Sequence, residues 1–257
     1  MEWYWIVLIS TAGFALWLTL SAVLYRQFFK RFYDIVLSAF ALLILSPLLL
    51  ILTVIGAIAM KGNPFFVQKR PGKIDKKTGK EKIFKLIKFR TMTNGKDENG
   101  KLLPDEKRLN KYGAMLRQLS LDELPELLNI VKGDLSIIGP RPQLVRDMVF
   151  MTEEQRKRHS VRQGLTGLAQ CSGRNNMTWE QKFTYDLEYI KKITLWKDIK
   201  ILFKTVFKVL QHDGINETGM ATAEDYGDYL LRLGLVTQED YKLKQKLAKE
   251  LTLKDGT

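Results

Sequence analysis

Cysteine occurs once in the 257 residues, at Cys171, and histidine twice. A lone cysteine excludes an intramolecular disulfide, and so few thiols and imidazoles leave a Cys/His zinc site without a ligand set. His159 and His212 have no partner base in the pattern and read as surface or packing residues. Acidic residues are scarce beside basic ones, 28 against 41, for a formal net charge of +13. That balance favours an anionic partner: nucleic acid, acidic lipid or a phosphorylated metabolite. No nucleic-acid motif accompanies the charge, so the expectation is no nucleic acid. Internal repeats and low-complexity tracts are absent too.

Charge itself is missing from two stretches near the start. Ile6 to Leu24 is apolar apart from Ser, Thr and Gly, which predicts a transmembrane helix. Glu2, Trp3, Tyr4 and Trp5 ahead of it lack the positive start of a cleaved signal and suit an interfacial belt, so the helix is expected to be retained. Arg26, Lys30 and Arg31 follow, which places that end in the cytoplasm.

The second run, Ile35 to Met60, would reach roughly 39 Å as a helix, more than a hydrocarbon core needs. Cations flank it on both sides, with Lys61, Lys69, Arg70 and Lys73 following. Both flanks therefore claim the same face. Proline removes a backbone donor, so Ser46-Pro47 is expected to break this helix and return it to the cytoplasmic side, with Ser46 capping a freed carbonyl.

Between Lys61 and Lys101 stand 13 Lys or Arg and 4 Asp or Glu. Within it, apolar and basic residues alternate from Ile83 to Met92, predicting a strand that gathers Lys85, Lys88 and Arg90. Lipid binding by a basic loop competes with anion capture here. Helical spacing recurs from Leu109 to Val131 and from Trp179 to Leu210. In the latter, Trp196, Phe203, Val206 and Phe207 lie opposite Lys200, Lys204 and Lys208, a pattern for an interfacial helix or one packed on a core. After Gly214 comes an appended helical pair, divided near Gly234 and capped at Thr237, to which docking and homo-oligomer formation are both open.

Chemistry concentrates in RQLSLDELPELLN, Arg117 to Asn129. Ser120 and Glu123 fit a capping box, and Pro125 suits a first helical turn, so Asp122 and Glu123 fall at the positive end of a helix dipole. Neighbouring helical positions point about 100° apart, which lets one carboxylate hold a metal while the other faces a substrate. In GDLSIIGPRP, Pro140 and Pro142 stiffen the chain around Arg141 for phosphate or nucleotide.

Taken in order, the SP of the membrane segment, FKLIKFRTM, LSLDELPELLN, KGDLSIIGPRP, VRQGLTGLAQ and GRN…W…YDLEYI resemble the bacterial sugar transferases, the monotopic phosphoglycosyl transferases, over about Phe28 to Gly214. The resemblance implies transfer of a sugar-1-phosphate from a UDP-sugar to undecaprenyl (polyprenol) phosphate with release of UMP, at the inner membrane's cytoplasmic face. It implies Mg²⁺, a re-entrant helix, Asp122 as nucleophile and Glu123 as metal ligand. Lys88, Arg90, Arg117, Arg141 and Arg174 become candidates for phosphate and nucleotide, with Asp186 and Asp198 orienting arginines. Gln163 stands where the family usually has proline and Leu168 where tryptophan is frequent. The expected fold is α+β and mostly helical, with interfacial amphipathic helices and a small β element. Its parts are a transmembrane helix (1–27), a re-entrant helix (28–60), a cytoplasmic catalytic domain (61–214) and a helical extension (215–257). The alternative is a membrane-tethered basic binding protein without catalysis.

Overall fold

The computed structural model describes residues 2–173, 177–211 and 224–254. It is mostly helical, with two small sheets. Helix α1 (Glu2–Val23) and helix α2 (Lys30–Ala59), joined by a π-helical turn over Tyr25–Phe29, are both long and apolar enough to cross a membrane. Helix α1 packs on the π turn and on α2 through Trp17 against Phe29 and Tyr33, and the Tyr33 hydroxyl donates to Ser21.

One sequence expectation changes in form here. The chain stays helical through Ser46 and Pro47, so the expected break does not end one helix and begin another. The reason is local: Pro47 cannot donate to the carbonyl four residues back, and the Ser46 hydroxyl donates to that same Leu43 carbonyl at 2.8 Å.

Helix α2 lies along the rest of the protein for its whole length. Lys30 pairs with Asp198 at 2.6 Å, Arg31 donates to the Ile130 and Val131 carbonyls, and Asp34 accepts from the Ile137 amide. Near its other end, Tyr112 donates to the Leu52 carbonyl and Asn110 to that of Ala59. Between them Leu45 joins the core of Phe84, Leu86, Leu127 and Ile130. The opposite side, including Phe40, Leu43, Leu50 and Ile58, is uncovered.

Strands β1 (Phe65–Ile74) and β2 (Glu81–Phe89) form an antiparallel hairpin, with Phe65 opposite Phe89. Because side chains alternate, Phe84, Leu86 and Lys88 share one face and Lys85 points the other way, so Lys85 does not join Lys88 and Arg90 as the sequence suggested. Helices α3 (Asp105–Arg108) and α4 (Lys111–Gln118) follow. Gly113 lets α4 approach the chain after β2 closely, since a Cβ there would meet the Thr91 carbonyl oxygen at 1.8 Å.

Helix α5 (Glu126–Lys132) ends at Gly133, whose φ of 104° closes it in the left-handed conformation. Strands β3 (Leu135–Ile138) and β4 (Gln163–Thr166) pair in parallel, connected through α6 (Val145–Met148) and α7 (Glu153–Arg156). Helix α8 (Leu168–Gly173) is followed by α9 (Trp179–Lys191) and α10 (Leu195–Leu210), two helices where the sequence showed one long pattern. Helix α10 packs inward through Ile201, Asp198 and Thr205, leaving Trp196, Phe203, Val206 and Phe207 uncovered. That row of bulk suits a membrane interface better than water.

The final pair, α11 (Tyr226–Arg232) and α12 (Gln238–Lys254), docks on α6 and α9. Thr237 caps α12 by accepting from the Asp240 amide at 3.1 Å, as its position suggested.

Candidate active site

Leu119 to Pro125 forms a tight corner between α4 and α5. Ser120 adopts a left-handed φ of 54° and makes no cap hydrogen bond, so the capping box does not form. Such a backbone costs on the order of 1–3 kcal/mol for a residue with a Cβ, and here it turns the chain so that a short 3₁₀ turn, Leu121–Glu123, delivers both acids. Asp122 and Glu123 line an open cavity of about 1020 Å³.

Glu123 is clamped. Its Oε1 accepts from Lys88 Nζ at 2.7 Å and from Arg141 Nη2 at 2.7 Å. Lys88 also pairs with Glu126 at 3.0 Å. Burial alone would raise the Glu123 pKa, but the Arg141 and Lys88 charges outweigh it and hold the carboxyl well below its ordinary range. Burial also works against a charged Lys88, and Glu123 and Glu126 override it and hold the amine above its usual value. Glu126, buried and next to Glu123, is pushed up to about 7.

Asp122 differs from its neighbour. Among the described residues its carboxylate has no hydrogen-bond partner, and burial together with the Glu123 charge raises its pKa. Two adjacent acids thus have opposite environments: one is held ionised by cations, and the other is a more basic, less encumbered carboxylate.

The supports come from distant parts of the chain. Asn129 accepts from the Ile87 amide at 3.0 Å and donates to the Lys85 carbonyl at 2.7 Å, fixing α5 against β2 and so Glu123 against Lys88. Arg117, on α4, donates to the Thr91 hydroxyl at 3.1 Å, and with Arg90 it lines the cavity. Arg141 is held from behind by Arg158, fully buried, which donates to the Arg141 carbonyl at 2.6 Å and to Asp186 at 2.6 and 2.9 Å. Asp186 therefore acts on the clamp through an arginine that sequence reasoning missed.

Asp198 lies elsewhere. It accepts from Tyr25, Lys30 and Tyr189, tying α10 to the membrane helices, and is not part of the cavity wall. Its expected part in orienting an arginine gives way to an anchoring one, since its partners are two tyrosines and a lysine. Arg174 and His212 lie outside the described residues. His159 is a packing residue: buried beside Glu81, its pKa is lowered to about 4, burial being the main cause.

The arrangement is that of a membrane-associated protein with a cationic cavity built around one clamped and one unclamped carboxylate. A family model described as bacterial sugar transferase matches residues 25–212, and the chain belongs to that family. It is 47% identical over 199 residues to EpsL, an uncharacterized sugar transferase of Bacillus subtilis, covering 77% of this chain and 95% of that one. It is 34% identical to the exopolysaccharide production protein ExoY of Rhizobium meliloti, over 69% of this chain and 83% of the relative. With the UDP-glucose:undecaprenyl-phosphate glucose-1-phosphate transferase of Klebsiella pneumoniae it shares 37% identity over 70% of its own length, and it spans 40% of that larger protein. Family membership sets aside the binding protein without catalysis.

Proposed function

We propose that this chain transfers a sugar-1-phosphate from a UDP-sugar to undecaprenyl phosphate, the reaction named for the Klebsiella relative. The observation that carries it is the unclamped Asp122 beside Glu123, with Lys88, Arg90, Arg117 and Arg141 around one cavity. In the first half, an Asp122 oxygen attacks the β-phosphorus of the donor. The bond from that phosphorus to the bridging oxygen breaks, and UMP departs with the electron pair. In the second half, an oxygen of the lipid phosphate attacks the same phosphorus and expels the Asp122 carboxylate. A carboxylate nucleophile splits one difficult transfer into two easier ones, and the arginines neutralise charge on the departing phosphate.

Mg²⁺ fits this donor set in one mode. Among the described residues no three ligating side chains stand together, so an all-protein cage is not offered, whereas one or two carboxylates plus substrate phosphates is the usual magnesium arrangement. Glu123 would hold it through the oxygen that Lys88 and Arg141 do not engage. Bound there, the ion supplies positive charge to the diphosphate oxygens.

The lipid substrate implies a site at the bilayer. Helix α2 meets the catalytic domain at both its ends while one side stays apolar and bare, which supports entry and exit on the cytoplasmic face of the inner membrane rather than a crossing. Helix α10 supports the same depth, since Leu202, Thr205 and Lys208 line the cavity while its aromatic row faces outward. An acyl phosphate formed at Asp122 would be sheltered from water there until the lipid phosphate arrives.

Incubating the purified protein with Mg²⁺, undecaprenyl phosphate and each of a panel of UDP-sugars tests the assignment. At least one donor is expected to give UMP and a lipid-linked diphosphosugar in equal amounts. A panel that includes UDP-glucose, UDP-galactose and their N-acetylamino analogues, and yields no UMP, would overturn it.

A further inference from the structure

The cavity is electrically uneven. Around the acidic pair its walls carry Lys88, Arg90, Arg117 and Arg141, as phosphates require. Another part of the wall carries paired charge: Arg146 of α6 is bonded to Asp225 at 2.6 Å, and Glu224, which also lines the cavity, is bonded to Arg232. Glu224 and Asp225 belong to the C-terminal segment, beyond the stretch matched by the family model.

Resting on the reading of the chain as a UDP-sugar transferase, we propose that this C-terminal segment completes the donor-sugar subsite, with the Asp225–Arg146 pair recognising the hydroxyls of the sugar ring. The chemistry separates this wall from the phosphate end. A guanidinium already neutralised by a carboxylate gains little from a phosphate, because Asp225 repels what Arg146 attracts. The same pair keeps spare N–H donors and spare carboxylate lone pairs, which match neighbouring hydroxyls that each donate and accept. Arg146 remains 48% exposed to receive them, while Asp225 is 15% exposed and positionally fixed.

Location agrees with the chemistry. Arg146 lies five residues beyond Arg141, so at most about 17 Å of chain separates the two, and both line one cavity. A sugar joined to the β-phosphate has to sit next to the phosphate arginines.

The segment is also built into the wall rather than lying loosely on it. The Tyr226 amide donates to Asp147 at 2.9 Å, on the same helix as Arg146. The Tyr226 ring packs among Phe150, Trp179 and Phe183. Gly227 sits so close to Phe150 that a Cβ there would meet its ring at 2.6 Å. From the other side, Ala248 of α12 packs on Val145 and Met148. Helix α6 is thus gripped by both C-terminal helices, and the direction of Arg146 depends on them.

The test compares kcat/KM for two donors that differ at one hydroxyl, UDP-glucose and UDP-galactose, and the inhibition constant of UDP, in the full chain and in Asp225→Asn and Asp225→Glu. Asp225→Glu keeps the charge and moves the oxygens, so the result does not hang on one variant. Expected is a change of roughly tenfold or more in the donor ratio, since a site that hydrogen-bonds a hydroxyl discriminates strongly, with UDP inhibition within about twofold of the parent. A donor ratio unchanged in both variants overturns the proposal. UDP inhibition that weakens in parallel with kcat/KM overturns it as well, because the pair would then hold nucleotide or phosphate. Failure of the parent chain to release UMP from any donor is a different result: it removes the transferase reading and the subsite with it.

Discussion

Replacing Asp122 with Asn is expected to lower sugar-phosphate transfer by roughly 10³- to 10⁶-fold, the scale on which removal of a covalent nucleophile is felt. The amide is nearly the same size, and the carboxylate it replaces has no hydrogen-bond partner among the described residues, so folding should be spared. Intact-mass measurement gives the mechanism its own readout. With donor and no lipid acceptor, the parent chain should gain the mass of one phosphosugar and the variant none. A second reading, in which Asp122 is a base that activates the lipid phosphate for direct attack, predicts the same loss of rate with no adduct in either protein. The raised pKa of Asp122 is compatible with both roles, so the adduct and not the rate separates them.

Glu123→Gln should behave differently. Its carboxylate is the counter-charge of Arg141 and shares Lys88 with Glu126, so neutralising it leaves Arg141 without that partner and disturbs the cationic wall along with any metal. Its defect should include weaker donor binding as well as slower chemistry.

The second large effect is structural and falls on Arg158. Its side chain is fully buried, bonded twice to a buried Asp186, and donates to the Arg141 carbonyl. Removing one member of a buried pair leaves the other uncompensated, typically at about 3–5 kcal/mol. Arg158→Ala is therefore expected to lower the thermal midpoint by on the order of 10 °C for a chain of this size. Asp186→Asn should also destabilise, and the double substitution Arg158→Met with Asp186→Asn should cost less than the sum of the singles. Scanning fluorimetry on protein in nanodiscs measures all of these. Midpoints of both single variants within a degree of the parent would show that the pair is not holding this part of the fold.

What the sequence disclosed follows from the range of the interactions involved. Features with local causes were legible: the two uncharged runs, the Ser46 hydroxyl covering for Pro47, the cap at Thr237, and the delivery of Asp122 and Glu123 ahead of a helix that begins after Pro125. Lys88 and Arg90 were legible from strand alternation, and the same alternation, applied strictly, would have removed Lys85. Arg158, within RKRHSVR, was not legible, because its partner Asp186 is 28 residues away. Asp198 was misplaced for the same reason: its partner Lys30 lies 168 residues earlier, and nothing in LWKDIK points to it. Glu126 carried a weak signal, a third acid in DELPE placed to share Lys88, visible only once β2 and α5 are laid together.

The Ser120 backbone is the local feature that pattern reading got wrong. Ser followed three residues later by Glu ordinarily caps a helix, yet here the serine turns left-handed and the helix starts later, at Glu126. The sharper corner is what brings the acids to the cavity instead of leaving them in a regular first turn.

If α2 begins and ends on one side of the bilayer, as proposed, the lipid phosphate and a water-soluble nucleotide sugar can reach the same carboxylate. Single cysteines placed at Gln27 and Gly62 in a Cys171→Ala background, probed with a membrane-impermeant thiol reagent, test it directly. Both positions should react in inverted vesicles and neither in intact cells. Labelling of one position in each preparation would contradict the account.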